Sequence, residues 1–238
     1  MAKSKRPTSI GQWDNTVVFF QSDNGAESGA AWPLGGGANT DNSLENIGRP
    51  LSNVDYGKRW AEVSATPFKL FKAFPTEGGV TVPAIVRMPR QHHGGPHFRG
   101  VTHTMDLAPT FLELAGIRDP GSMYKGRPVH PLEGVSLVPV FKQRASSARP
   151  KGSVLAYELL GRRYVRKDNW KAVWVEAPWA TGHWTLYDLR NDPAEMNDLS
   201  AARPEIMAEL VAEWDNYVAR VGVVEPDMIG MPFREGLP

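Results

Sequence analysis

Hydrophobic and polar positions divide this chain into two kinds of text. The first clear signal is Val17-Val18-Phe19-Phe20, an apolar run rich in β-branched and aromatic residues. It predicts a buried strand that stops abruptly at Gln21-Ser22-Asp23-Asn24-Gly25. Upstream, Ile10-Gly11 resembles a helix end, and Trp13-Asp14-Asn15-Thr16 a turn into the strand. Residues 25 to 65 show little periodicity and are rich in Gly, Asn, Ser and Asp, so a long irregular loop is expected, anchored by Tyr56 and Trp60. Ala84 to Arg87 reads as a short strand between prolines. Thr104 to Gly116 reads as a helix with Asp106 as N-cap, Pro109 in the first turn and Gly116 at C′. Its expected buried face is Phe111, Leu112, Leu114 and Ala115. Residues 117 to 152 read mostly as loop, with a short apolar piece from Val135 to Phe141.

The pattern then changes. Val154–Leu160, Arg163–Arg166, Trp170–Val175 and Trp184–Asp188 are short strands in sequence, with Asp168-Asn169 as a hairpin-type turn. Strands this closely spaced predict an antiparallel sheet. Pro204 opens a helix to about Arg220, with Met207, Leu210, Val211, Trp214, Val218 and Val221 on one face. The fold class predicted is α/β, with a small C-terminal antiparallel sheet packed on a helix. Three segments are expected: a disordered basic tail (1–9), an α/β part (10–152) and a sheet-and-helix subdomain (153–238).

Composition narrows the chemistry. The 238 residues hold no cysteine, which excludes disulfides, thiolate metal sites and a cysteine nucleophile. A net charge of +1 implies no general attraction to nucleic acid or to a membrane surface, and neither is expected as a partner. No apolar run has bilayer-spanning length, and no apolar segment of signal-peptide kind follows the basic start. Cytoplasmic location is the expectation, with the periplasm as the alternative.

The candidate chemistry sits at the end of the first strand. In open α/β sheets, ligands gather at the carboxyl ends of strands. Asp23 and Asn24 offer two hard oxygens there, suited to Ca²⁺ or Mg²⁺; read alone, Asp-Asn-Gly is a common turn. Lys72, flanked by Phe71 and Phe74, would alone be a surface lysine covering apolar neighbours. Glu77, before two glycines, reads as turn or supporting residue and not as an acid. Gly35-Gly36-Gly37 lacks the Lys-Ser/Thr of a phosphate loop. His92, His93 and His97 are separated by Gly and Pro and read as a loop; His103 caps or packs, and His183 is a turn residue. Trp170, Trp174 and Trp184 read as sheet core.

Four stretches taken together resemble a known family. Ser22-Asp-Asn-Gly-Ala-Glu27, Lys72-Ala-Phe-Pro-Thr-Glu-Gly-Gly-Val-Thr-Val-Pro83, Met105-Asp-Leu-Ala-Pro-Thr-Phe-Leu-Glu-Leu-Ala-Gly116 and Leu186-Tyr-Asp-Leu-Arg-Asn-Asp-Pro193 resemble the C-terminal half of type I sulfatases. Bacterial arylsulfatases, with their alkaline-phosphatase-like fold, are the nearest in kind; Asn46-Ile-Gly-Arg-Pro and Tyr56-Gly-Lys-Arg-Trp-Ala also resemble them. The resemblance implies an incomplete alkaline-phosphatase-like sheet. It implies Asp23 and Asn24 as ligands of a divalent cation, usually Ca²⁺, and Lys72 as the lysine that contacts sulfate. The family's nucleophile is a formylglycine made from Cys or Ser in Cys/Ser-x-Pro-x-Arg. That pattern is absent: Ser4-Lys-Arg-Pro and Ser147-Ala-Arg-Pro carry proline one place late and no Arg beyond it. The expectation is a sulfatase remnant with half a cation shell, inactive alone and weak in metal binding. It would meet a sulfate ester when complemented by an N-terminal half, and is prone to self-association through open sheet edges. A phosphonate or phosphate ester hydrolase of the same superfamily, or a non-catalytic binding module, are the alternatives.

Overall fold

A computed structural model describes residues 11–28, 40–54, 57–90, 95 and 97–224. Tyr56, the Gly35–Gly37 triplet, His92, His93 and the basic start lie outside the described residues. The chain divides into two compact units: residues up to Phe20 with Ile85–Ser153, and Gln21–Ala84 with Val154 onward.

In the first unit, β1 (Val18–Gln21) and β2 (Ala84–Arg87) form a two-stranded sheet. A buried strand was expected; instead Phe20 and Ile85 are each 68% exposed. Each of these strands has one neighbour among the described residues. Arg87 fastens β2 to the preceding 3-10 turn (Trp13–Asn15): its Nη1 donates to the Trp13 carbonyl at 2.9 Å, and its guanidinium stacks 3.8 Å from the Trp13 ring.

The expected helix begins with a 3-10 turn (Thr104–Asp106) and continues as α3 (Leu107–Leu114), counting α1 and α2 below. Its cap differs from the one expected. His103 Nδ1 accepts from the Met105 N–H at 3.1 Å, and Asp106 Oδ2 accepts from the His103 N–H at 2.8 Å, a reciprocal capping box. The buried face is also different: Phe111 and Ala115 are exposed, while Asp106 and Thr110 are buried. Asp106 is the reason. Its Oδ1 accepts from the Val135 N–H at 2.9 Å and pairs with Arg149, so the helix turns its polar corner inward. The C-terminus is as expected: Gly116 (φ 67°) donates to Glu113 O and Ile117 to Leu112 O, a Schellman closure. A small hairpin, β3 (Met123–Tyr124) with β4 (Arg127–Pro128), and α4 (Val138–Phe141) complete this unit.

The second unit is organised by a four-stranded antiparallel sheet, β5 (Val154–Leu159), β6 (Arg162–Lys167), β7 (Trp170–Trp174) and β8 (Trp184–Asp188), in that spatial order. Leu160 and Gly161, both at positive φ, make the first hairpin turn, and Asp168 (φ 53°) begins the second. Val165, Ala172 and Leu186 pair across β6, β7 and β8 and are wholly buried against Leu210 and Trp214 of α5 (Pro204–Val221). Ile206 and Tyr217 join that face, whereas Val221 is exposed. Gly222 (φ 70°) closes the helix. Trp170 and Trp184 pack on this core as expected. The opposite sheet face is buried too, under residues 69–80: Lys69 lies 5.9 Å from the Tyr187 ring.

Residues 57–65, expected as loop, are helix α1 (Gly57–Ala65). Its apolar and polar positions segregate, but the segment is polar on average; Ala61 is its one buried residue, and Trp60, expected as an anchor, is 64% exposed. A four-residue helix, α2 (Glu77–Val80), carries the Thr-Glu-Gly-Gly element.

Candidate active-site cleft

The turn after β1 is held by backbone contacts that only glycine permits. Ser22 N–H donates to the Pro83 carbonyl at 3.3 Å, and Ser22 Oγ–H to the Asn24 carbonyl at 2.9 Å. Gly25 N–H donates to the Gly79 carbonyl at 3.0 Å. A Cβ on Gly25 would lie 2.1 Å from Gly78 O; on Gly79, 2.1 Å from Phe74 O; on Gly78, 2.2 Å from Leu70 O. Three glycines therefore let the Asp23–Asn24 turn, α2 and the 69–74 turn stack backbone on backbone. Two separated sequence patterns become one layer.

Lys72 stands on the third member of that stack. Its N–H donates to the Ala26 carbonyl at 3.1 Å, and its Nζ forms an ion pair with Glu27 Oε2. Glu27 Oε1 accepts from the Ser28 N–H at 2.9 Å. Beneath the turn, Phe71, Phe74 and Trp179 pack edge to face or tilted, with centroids 4.9 to 5.8 Å apart. Arg162, from β6, grips the turn from the sheet. Its Nη1 donates to the Ala73 carbonyl at 3.1 Å, its guanidinium lies 4.0 Å from the Phe74 ring, and Glu176 pairs with it at 2.6 Å.

The supporting group that sequence reading missed is Lys171. Its ammonium is buried between Glu77 Oε1 (2.7 Å) and Glu195 Oε1 (2.9 Å), and Glu195 Oε2 accepts from the Glu77 N–H at 2.8 Å. Burial works against the charged form of Glu77, yet the Lys171 charge and hydrogen bonds from Lys171 and Thr81 hold its pKa below the usual carboxylate range. Glu77 thus serves as a supporting carboxylate, the role its place before two glycines suggested. Burial pulls Lys171 down, but Glu195 and Glu77 outweigh it and its pKa is raised. Burial pushes Glu195 up, against the pull of Lys171. A signal for Lys171 existed: it shares strand parity with Val173 and Val175, the inward set, whereas an exposed lysine would stand alone on a polar face.

Ser22 to Glu27, Ser64 to Thr66, Phe68, Gly78 and Thr81 to Pro83 line an open cleft of about 700 Å³. Asp23 is exposed in it and Asn24 half-buried. Lys72 does not line the cleft, but its partner Glu27 does. Side-chain oxygens of Asp23, Asn24 and Glu27 suit a hard cation in kind but not in number, since Ca²⁺ takes six to eight oxygens. Among the described residues no group of three or more His, Asp or Glu is arranged to hold a metal. On its own this donor set is an incomplete shell, and a hard cation held here needs further oxygens from outside it. His97 and His183 are exposed, and His103 is occupied as a cap. Burial lowers the pKa of His103, assisted by Arg149 and opposed by Asp106, which keeps Nδ1 free to accept.

The architecture is mixed α/β, and the glycine stack joins the strand-end Asp23–Asn24 turn to the turn that carries Lys72. Residues 68–220 match the family model for the C-terminal region of N-sulphoglucosamine sulphohydrolase, and residues 9–117 match the sulfatase model. The chain belongs to the type I sulfatase family, within the alkaline phosphatase superfamily. It is 38% identical over 224 residues to an uncharacterised sulfatase of Schizosaccharomyces pombe, covering 90% of this chain and 40% of the relative. It is 33% identical over 144 residues to an arylsulfatase of Klebsiella aerogenes, covering 58% of this chain and 31% of the relative. The crystal structure of Ps i-CgsB in complex with k-i-k-neocarrahexaose shares the fold, with a TM-score of 0.62 at 23% identity over 89% of this chain and 38% of that one. The chain thus spans well under half the length of these proteins, and the match is to their C-terminal half.

Proposed function

We propose that this chain carries the C-terminal share of the reaction centre of an arylsulfatase-like sulfuric ester hydrolase. In this reading Asp23 and Asn24 offer oxygens to a divalent cation, Ca²⁺ or Mg²⁺, and Lys72 meets the sulfate group. The observation that carries it is the glycine stack: the Gly25–Gly79 and Lys72–Ala26 backbone bonds join the two sequence patterns at one cleft. Sulfate ester cleavage also needs a nucleophile in line with the leaving oxygen and charge stabilisation on the sulfate oxygens. The sequence offers no Cys and no Cys/Ser-x-Pro-x-Arg, so formylglycine cannot form here. Residues 1–238 by themselves are therefore expected to be inactive, and turnover needs a nucleophile and further oxygens from outside this stretch.

The test is p-nitrophenyl sulfate hydrolysis with Ca²⁺ present. The chain alone gives none. With an N-terminal sulfatase half carrying the missing pattern, activity returns and is lost in Asp23→Ala and Lys72→Ala. Turnover by the chain alone overturns the reading, and preference for p-nitrophenyl phosphate assigns it to the phosphate ester relatives. Association is favoured by the β1–β2 sheet, on which Phe20 and Ile85 are exposed.

A further inference from the structure

We propose that Glu27 is an internal counter-anion that holds Lys72 and sets the affinity of the cleft for sulfate. The inference rests on the reading of Lys72 as an anion-binding residue. Glu27 is fixed from two sides: Ser28 N–H holds Oε1 at 2.9 Å, and Oε2 takes the Lys72 ammonium. Lys72 is drawn to the same place by its own backbone, whose N–H donates to the Ala26 carbonyl. Glu27 lines the cleft and Lys72 does not, so the carboxylate stands where an incoming anion meets the lysine.

The pair is poised, not locked. The Lys72 and Glu27 side chains are 40% and 45% exposed, and ion pairs this open are weak. An ammonium has three donors, but a sulfate that shares Lys72 with Glu27 meets a like charge nearby. Two outcomes of that contest can be separated. Were Glu27 only a prop for Lys72, removing its charge would weaken anion binding. A competing charge predicts the opposite. A unit charge some 5–6 Å from a sulfate dianion changes affinity about tenfold in bulk water, and screening at physiological ionic strength reduces this to about three- to fivefold.

The experiment titrates the full chain with sodium sulfate at constant ionic strength, reading the Lys72 signal by ¹³C NMR after reductive dimethylation. Lys72→Arg assigns the signal. Glu27→Gln keeps the oxygen that accepts from Ser28 and removes the charge. It is expected to bind sulfate about three- to fivefold more tightly than the parent. Glu27→Ala shows the same direction without the Gln amide. Glu113→Gln, which removes a charge from exposed α3, leaves affinity unchanged. Equal or weaker binding by both Glu27 variants overturns the proposal. Lys72→Ala then separates the causes: if it abolishes sulfate binding, Lys72 keeps its anion role and the Glu27 inference alone falls. If sulfate moves no Lys72 signal in any protein, both fall.

Discussion

Replacing Lys171 by Met tests whether the buried ion triad holds the cleft together. The side chain is 1% exposed and lies between Glu77, 11% exposed, and Glu195, fully buried. Met matches its length and removes the charge, leaving two carboxylates facing one another with no cation between them and only the more distant Arg166 charge acting on Glu77. Breaking a buried pair in this way costs about 3–5 kcal/mol. For a chain of this size each kcal/mol corresponds to about 2–4 °C, so the unfolding midpoint drops by roughly 6–20 °C. The assay is urea unfolding at pH 7 followed by tryptophan fluorescence and far-ultraviolet circular dichroism, with coincidence of the two probes as the check on two-state behaviour. The charge account makes a second demand. With the ammonium gone, Glu77 and Glu195 cannot both stay ionised, so acidification must recover part of the loss in the variant. The triple variant Lys171→Met, Glu77→Gln, Glu195→Gln must recover more. A loss below about 1 kcal/mol, or a larger one independent of pH, refutes the reasoning.

Two further predictions follow from the same cluster and from the glycine stack. Lys171 has a raised pKa in the folded state, from Glu195 and Glu77 against burial, and Tyr164 has a raised pKa from burial. Both bind protons more tightly when folded, so the stability they supply is complete below about pH 10 and is lost as pH rises through the folded values. Lys171→Met flattens that alkaline slope in a pH series of urea melts. Gly25→Ala sets a Cβ against the Gly78 carbonyl, where two backbones would have to part. It destabilises by about 1–3 kcal/mol or more, and shifts the amide resonances of Gly78 and Gly79 in ¹⁵N NMR; unchanged resonances would contradict the stack.

How much of this was written in the sequence depends on how local the determinant was. The four C-terminal strands and α5 came through because their signals are short-range: period-two alternation, a two-residue turn at Asp168-Asn169, Pro204 at a helix start and Gly222 at its end. Gly116 was legible for the same reason. The hydrophobicity of Val17–Phe20 correctly marked a strand but not its burial, because burial belongs to whatever lies across the sheet. Helix α1 was lost because its segment is polar on average and follows a Gly-, Asn- and Ser-rich stretch, which hid the segregation of its few apolar positions. Asp106 looked like a cap from its place before Pro109, and it does close a capping box with His103, but its other partners Val135 and Arg149 are 29 and 43 residues away.

The site divides along the same line. Asp23, Asn24 and Lys72 could be singled out through family resemblance, and the structure brings their segments to one layer. What joins them could not be singled out, because Gly25, Gly78 and Gly79 matter through what a Cβ would strike, and no sequence pattern records that. Lys171 and Glu195 are further still: each is an ordinary residue of its own segment, and Glu77 is 94 residues from Lys171. Their interaction fixes α2, α2 fixes the glycine stack, and the stack fixes the turn that carries Asp23 and Asn24. The C-terminal sheet is therefore part of the cleft's construction. A substitution on β7 should loosen Asp23 without touching it, which is why the Lys171 variant is the sharpest probe of how this cleft is held.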